Sequence, residues 1–546
     1  MLRDLDRLTQ KRFDLVVVGG GIYGLFAAWE ACRRGLKVCL LEKGDFMGAT
    51  SSNSLRIVHG GLRYLQHLDF VRMRESIRER RFLMTLAPEF IGALPFVVPT
   101  CGWGLRGPTV LKAAMILNDL ISMDRNRGIQ PQNRIPRGSL ITKAECLSKI
   151  PGIALQPSLV GGAVWHDGVA WNTERVGFCI MKTCWKQGAR FANYVSVRSI
   201  TKNNGRVQGV EAECQLTGRS LAIHSSAVLN AAGPWVDEVL AQSGLSSAEP
   251  YFCGSKAFNL LTKPILKNHA AAIPFQENFR DSEEFLNKGV RHFFIIPWRG
   301  HSLIGTRHLP YSGDTANFKI TSEDVQLFLN EINRAYPAAA LKPVDIARVF
   351  GGLVPRRRDS QGDVQLQKSY NLIDHFAEQG IEGLISVVGV KWTTARDVAE
   401  KAVRLVLRKL RRKPGGKWPE SNEDGELGQR NTSIERESCS SEEGSRNSLS
   451  QVASSIATDP MLGETLTPET NVLRAEVIHG IRFEMAQRLT DILFRRTTLG
   501  LCGKPNKETI DKCMEIMSRE LNWNSHRQEE ESKITEQEFS RILPFS

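Results

Sequence analysis

A short apolar run that ends in three consecutive glycines constrains this chain more than any other feature. Asp14-Leu-Val-Val-Val18 reads as a strand buried on both faces of a parallel sheet. Gly19-Gly20-Gly21 breaks it, Ile22 to Arg34 is rich in good helix formers, and Gly35 is a helix stop. Lys37-Val-Cys-Leu-Leu41 then returns as a second strand. Gly19-x-Gly21-x-x-Gly24 therefore falls between a strand and a helix. The first glycine permits the tight turn, and the second lets a pyrophosphate approach the backbone. The third allows close helix packing, and the helix N-terminus supplies partial positive charge. Glu42 ends the second strand, where a carboxylate accepts hydrogen bonds from ribose hydroxyls. A glycine string alone is a weak signal; in this order of elements it predicts a bound adenine dinucleotide.

Size and composition set the limits. The chain has 546 residues, 41% of them hydrophobic and 24% charged, which predicts a globular protein of about two to four domains. Its 11 cysteines are scattered with no C-x-x-C pair and no metal-ligand spacing, so we expect free thiols in a reducing compartment and no metal. The net charge of +13 suits a nucleic acid, an anionic membrane surface or an acidic substrate, or else a solvated surface. The basic residues are spread along the chain, which argues against nucleic acid. The opening MLRDLDRLTQKRFD has no apolar core of a signal peptide. No uncharged apolar stretch reaches the roughly 20 residues of a spanning helix. The expectation is a cytoplasmic protein, or one peripheral to the inner face of the respiratory membrane.

Further apolar segments read as sheet pieces. These are Ala227 to Gly233, Phe293 to Ile296 paired with Leu303-Ile304, and Gly383 to Val388, followed by a helix from Thr393 to Lys409. Residues 412–465 are rich in Ser, Glu, Asn and Gly and read as a disordered linker. A helical pattern resumes at Thr467, with Leu473, Val477, Ile481 and Met485 on one face.

Several strings, in order, resemble the FAD-dependent glycerol-3-phosphate dehydrogenases. They are Gly19-Gly-Gly-Ile-Tyr-Gly24, Ala49-Thr-Ser-Ser52, His59-Gly-Gly-Leu-Arg-Tyr-Leu65, Asn230-Ala-Ala-Gly-Pro-Trp-Val236, Ile304-Gly-Thr306 and Gly389-Val-Lys-Trp-Thr-Thr394. Phe494-Arg-Arg-Thr497 and Glu520-Leu-Asn-Trp523 look like that family's C-terminal helical domain. The resemblance implies an α/β chain: an FAD-binding Rossmann-like fold, an inserted mixed-sheet substrate domain and a C-terminal all-helical domain. It divides the chain into FAD-binding parts at 12–92, 166–240 and 345–411, and a membrane-facing insertion at 93–165. A substrate domain follows at 241–344, with the linker at 412–465 and helices at 466–546.

The implied activity is two-electron oxidation of a small phosphorylated alcohol, with electrons passed to quinone or another acceptor. The implied FAD contacts are Gly19, Gly21, Gly24, Glu42, Lys43, Thr50, Ser51, Ser52, Gly60, Gly61, Val197, Gly233, Gly389, Lys391 and Thr393. His59, Arg63, Lys256 and Lys391 stand as catalytic candidates, and Arg63, Tyr64, Lys256, Arg356 and Lys368 as substrate-binding ones. His59 has an ordinary pKa near neutrality, which suits a proton acceptor as well as a structural histidine. Lys391 is implied beside the flavin, where a cation stabilises developing negative charge.

Three positions depart from the family. Val354 stands where it places an arginine, Lys256 replaces a histidine, and Lys368 replaces a second arginine. Arg356-Arg-Arg358 lies close enough to supply charge from a shifted position, or forms a solvated turn. A lysine also holds phosphate only as a point charge, without the bidentate fork of arginine. These departures leave open an amine or hydroxy-acid substrate, or a catalytically silent flavin-binding protein. Finally, Ala93 to Ile121 combines aromatic, apolar and basic residues and reads either as a core segment or as one lying in a membrane interface.

Overall fold

A computed structural model describes residues 1–101, 108–153, 159–276, 290–357, 366–411, 456–457, 459–543 and 545. Most of the expected 412–465 linker lies outside the described residues, as does Arg358, but the end of the linker is ordered, with a short helical turn at Pro460–Gly463.

Strand Leu15–Val18 is buried at every position, as its continuous apolar run requires. It sits at the centre of a six-stranded sheet, parallel to Val38–Leu41 on one side and Val228–Asn230 on the other. Arg190–Ala192 and Leu384–Val388 extend the parallel array, and Asn371–Asp374 closes one edge antiparallel. Helices Ile22–Arg33, Thr173–Lys186 and Ala395–Lys409 join one core with this sheet, in which Leu25, Phe26, Val176, Val398 and Ala402 are fully buried. A smaller antiparallel sheet, Val195–Asn203, Arg206–Cys214 and Ser220–His224, shares a second core with the opposite faces of the parallel strands.

The other large sheet has nine strands and crosses the domain limits expected from sequence. Ile57–Val58, Leu159–Ala170 and Ile346–Pro355 all belong to it, so the limits at 165 and 344 fall within or before its strands. Gly161-Gly162 and Gly351-Gly352 interrupt the apolar patterns of two strands whose ladders nonetheless run through them.

The C-terminal helices Arg474–Glu484, Lys507–Leu521 and Ser525–Ile542 enclose Val477, Ile481, Leu493, Met517 and Phe539. Met485 departs from the expected face. It adopts φ +57°, ends its helix, and is buried in the core of the nucleotide-binding sheet instead. The carbonyl oxygen of Met485 accepts a hydrogen bond from Asn193 Nδ2 at 2.9 Å, which fixes this turn against the loops of that sheet.

Candidate active site

A long cleft of about 300 Å³ runs between the two large sheets. One end is formed by Glu42, Lys43 and Val197, the middle by Gly19, Gly21, Thr50, Ser51 and Gly233, and the far end by Gly389 and Lys391. The glycines are demanded by space. A Cβ on Gly24 would lie 1.9 Å from the Gly19 carbonyl oxygen, and one on Gly19, at φ +106°, would lie 2.6 Å from that of Ala231. Helix and strand thus approach as closely as a dinucleotide turn needs. Ser51 Oγ accepts a hydrogen bond from the first helical amide, Ile22 N, at 3.0 Å. The Glu42 carboxylate receives the amides of Gly20 at 2.6 Å and Gly44 at 2.8 Å. Burial raises its pKa against the pull of those bonds. Lys43 lies 4.0 Å over the Trp235 ring. These residues fit an adenine dinucleotide, with a carboxylate at the ribose end and small residues along the phosphate path.

Tyr23, unremarked in the sequence, organises the other end. Its hydroxyl donates to the Lys391 carbonyl at 2.8 Å and accepts from the amides of Val390 and Lys391, both at 3.0 Å. Burial pushes its pKa up to about 12, so it stays protonated and able to donate. A Cβ on Gly389 would strike the Tyr23 ring at 2.1 Å. The aromatic residue inside the glycine motif was the available signal.

Pinned in this way, Lys391 carries its ammonium to the Tyr64 hydroxyl, and the nitrogen lies 4.4 Å from the Tyr64 ring centroid. Burial, then the Arg63 charge, lowers the Lys391 pKa to about 8. His59 packs edge-on to Tyr64, with centroids 6.3 Å apart, and its amide donates to Thr393 Oγ1 at 3.3 Å. Burial, followed by the charges of Lys391 and Arg80, lowers its pKa to about 3. His292, which the sequence reading missed, is lowered to about 4 by burial and Arg63. Two cations and two neutral imidazoles are therefore grouped around Tyr64, brought from three chain segments, and Lys391 joins them to the lining of the cleft.

Other expected residues go elsewhere. Lys256 is not at the cleft. Ala257 and Asn259 of its strand line the cavity, and strand alternation turns Lys256 to the opposite face, where Nζ pairs with Asp324 Oδ2 at 2.8 Å. Ser52 is likewise turned inward: its hydroxyl donates to the Met47 carbonyl, and its own carbonyl accepts from Arg56 Nη2 at 3.1 Å. Gly60 gives its amide to Asp167 Oδ1 at 2.6 Å, and a Cβ there would lie 2.2 Å from Arg80. Gly61, at φ +79°, faces Tyr64 and Ser76. Packing alone thus accounts for both glycines, and neither is among the residues that line the cleft.

Arg356 Nε donates to the Gly254 carbonyl at 3.0 Å, and neither it nor Lys368 lines the cleft. Val354 does line it, between Leu353 and Pro355. Facing them are polar groups that the sequence did not single out. Asn259 accepts from Thr306 Oγ1 at 2.8 Å and donates to the Asn53 carbonyl at 3.1 Å, and His308 also reaches the cavity. Among the described residues, no group of three ligating side chains could hold a metal.

Comparison with known proteins agrees with this architecture. Residues 14–396 match the model of the FAD dependent oxidoreductase family, and residues 444–528 match the C-terminal domain of alpha-glycerophosphate oxidase. A glycerol-3-phosphate dehydrogenase of Synechocystis is 32% identical, over 92% of this chain and 91% of its own. A probable mitochondrial glycerol-3-phosphate dehydrogenase of Dictyostelium discoideum is 29% identical, over 95% and 83%. In fold, the chain resembles the glycerol-3-phosphate dehydrogenase of Bacillus halodurans solved with FAD. The TM-score is 0.71 at 22% identity, covering 99% of this chain and 97% of that one. The chain is an FAD-dependent oxidoreductase and belongs to the glycerol-3-phosphate dehydrogenase family.

Proposed function

We propose that the protein oxidises sn-glycerol 3-phosphate to dihydroxyacetone phosphate at the cluster of His59, Arg63, Tyr64, His292 and Lys391. The observation that carries this reading is the grouping of the half-buried Lys391 and the exposed Arg63 with two neutral imidazoles beside the cofactor cleft. FAD, when bound, supplies the two-electron sink for the hydride that leaves the alcohol carbon. Gly19, Gly21, Gly24, Glu42, Thr50, Ser51, Val197, Gly233 and Gly389 hold it. Arg63 binds the phosphate through its fixed fork of donors. His59, uncharged at neutral pH, takes the hydroxyl proton on a ring nitrogen. Lys391 and Tyr64 orient the reacting oxygen and stabilise charge there.

Anaerobic mixing of the FAD-loaded protein with glycerol 3-phosphate tests the reading. Rapid bleaching of the flavin band is expected. A protein that holds FAD and does not bleach serves another substrate. An amine or hydroxy-acid panel then follows, because Leu353, Val354 and Pro355 give that wall of the cleft an apolar lining. Within the proposed reaction, Arg63→Gln removes a charged hydrogen bond worth roughly 1.5–3 kcal/mol. KM should rise about 10–100-fold while kcat changes little in steady-state assays. An unchanged KM would remove Arg63 from the phosphate site.

The acceptor is proposed to be a quinone reached at a membrane surface. Of the 93–121 segment, strand Ile91–Cys101 is built into the large sheet, and helix Pro108–Ile121 is the part that meets solvent. It buries Met115 while leaving Ile116, Leu117 and Leu120 exposed on the far face, next to Met123. Leu68, Phe70 and Val71, also exposed, belong to the neighbouring turn and helix start. Apolar surface grouped in this way is uncommon on a soluble monomer. Among the described residues no helix is long and apolar enough to cross a membrane, so contact would be interfacial. The double change Leu120→Glu with Met123→Glu should reduce co-sedimentation with vesicles of neutral and anionic phospholipid at least tenfold. Turnover with a soluble dye acceptor should stay unchanged. Equal sedimentation of variant and parent would remove this face from the membrane.

A further inference from the structure

A second, smaller cavity lies where the C-terminal helices meet the edge of the large sheet, apart from the cofactor cleft. Four basic side chains line it: Lys319, Arg348, Arg495 and Arg541. Two carboxylates also line it, Glu174 and Glu538, and both are already engaged. Glu174 receives both arms of Arg56 at 3.1 Å, and Glu538 pairs with Arg541 at 2.6 Å. Arg495 is neutralised by Asp45 and Asp491. Among the described residues, Arg348 and Lys319 remain with no carboxylate in ion-pair range.

Arg348 is the unusual one. Its residue is 7% exposed, and its guanidinium lies 4.5 Å from the Phe350 ring centroid and 4.9 Å from that of Phe494. Nη1 donates to the Gly500 carbonyl at 2.8 Å, while Nε has no partner. Burial lowers its pKa to about 10. Aromatic faces and one carbonyl hold the group in place, the charges of Glu174 and Glu538 offset its burial only in part, and a desolvated guanidinium with an unmet donor calls for an anion.

We propose that this cavity binds a small oxyanion of the phosphate or sulfate class, held by Arg348 and Lys319. The position gives such an anion a role. Ser52 and Asn53 reach the cavity from the loop whose Thr50 and Ser51 line the cofactor cleft. Strand Ile346–Pro355 likewise sends Arg348 to the cavity and Gly352 to Pro355 to the cleft. Bound oxyanion ties the C-terminal helices to two walls of the cofactor site, and should slow FAD release.

The test is equilibrium dialysis of the FAD-loaded protein against radiolabelled inorganic phosphate at matched chloride. Binding should persist in Arg63→Gln, a change at the proposed substrate site, and weaken at least tenfold in Lys319→Glu. Lys319 is exposed, so that variant folds without a buried charge to disturb. Arg348→Met, checked by FAD content and circular dichroism, should show the same loss. Phosphate should also raise the thermal midpoint of the parent and of Arg63→Gln, and leave that of Lys319→Glu unmoved. Phosphate binding that disappears in Arg63→Gln and survives in Lys319→Glu belongs to the substrate site and overturns the proposal. No binding above the chloride control at millimolar phosphate overturns it equally.

Discussion

Lys391→Met is expected to lower turnover about 10²–10³-fold, the loss typical when one preorganised charge is removed from a water-excluded site, with FAD still bound. Methionine fills the same volume and keeps the loop, because Tyr23 holds Val390 and Lys391 through their backbone groups. Only the ammonium against Tyr64 is lost. The pH profile separates charge from packing. Burial and then Arg63 lower the Lys391 pKa from 10.5 to about 8. Activity that needs the cation therefore falls as pH rises through about 8, and the methionine variant lacks that limb. Parent activity that rises through the same range would instead make the neutral amine a base and sink the assignment. Stability moves the other way. A folded pKa below the unfolded one means that the unfolded chain binds more protons between about 8 and 10.4, so folding gains as pH rises there. Removing the cation at neutral pH should thus not unfold the protein, and lost activity cannot be read as lost fold.

Asp45→Asn is expected to destabilise the junction of the nucleotide-binding sheet and the C-terminal helices by about 3–5 kcal/mol, as when one partner of a buried ion pair is removed. Asp45 is almost wholly buried. It accepts from Arg495 Nε and from both terminal nitrogens of Arg496, one of them at 2.8 Å, and from Asn193 Nδ2 at 2.9 Å. Burial alone would raise its pKa. The guanidiniums of Arg496 and Arg495 overcome burial and hold the carboxyl well below the usual range. A depressed folded pKa contributes stability that is complete at neutral pH and lost as pH falls below the ordinary aspartate value of about 3.9. The variant should therefore show a lower first thermal transition and faster proteolysis within 466–543 at pH 7. The gap from the parent should close in acid. A difference under about 1 kcal/mol, the scale of an exposed pair, would mean that Arg495 and Arg496 find other partners.

Much of the nucleotide end was legible because it is local. Gly19, Gly24 and Glu42 are constrained by a turn, a helix–strand contact and a strand end that the chain builds from consecutive residues. Helix Ala395–Lys409 and strand Leu384–Val388 followed from periodicity in the same way. The substrate end was less legible. His292 sits on a strand of the nine-stranded sheet, far in sequence from His59, and no local pattern links the two. Lys256 was placed by its neighbours in the sequence, yet register decides which face of a strand a side chain takes, and a shift of one residue reverses it.

The sequence by itself determined the dinucleotide turn, the parallel sheet around it and the family resemblance, since these rest on short-range steric rules and on apolar period. Only the tertiary structure decided that Tyr23 pins Lys391, that Lys256 faces Asp324, and that Asp45 answers Arg495 and Arg496. Partners of that kind meet through sheet register and helix docking, which are settled by the packing of the whole core and are written in no single stretch of chain.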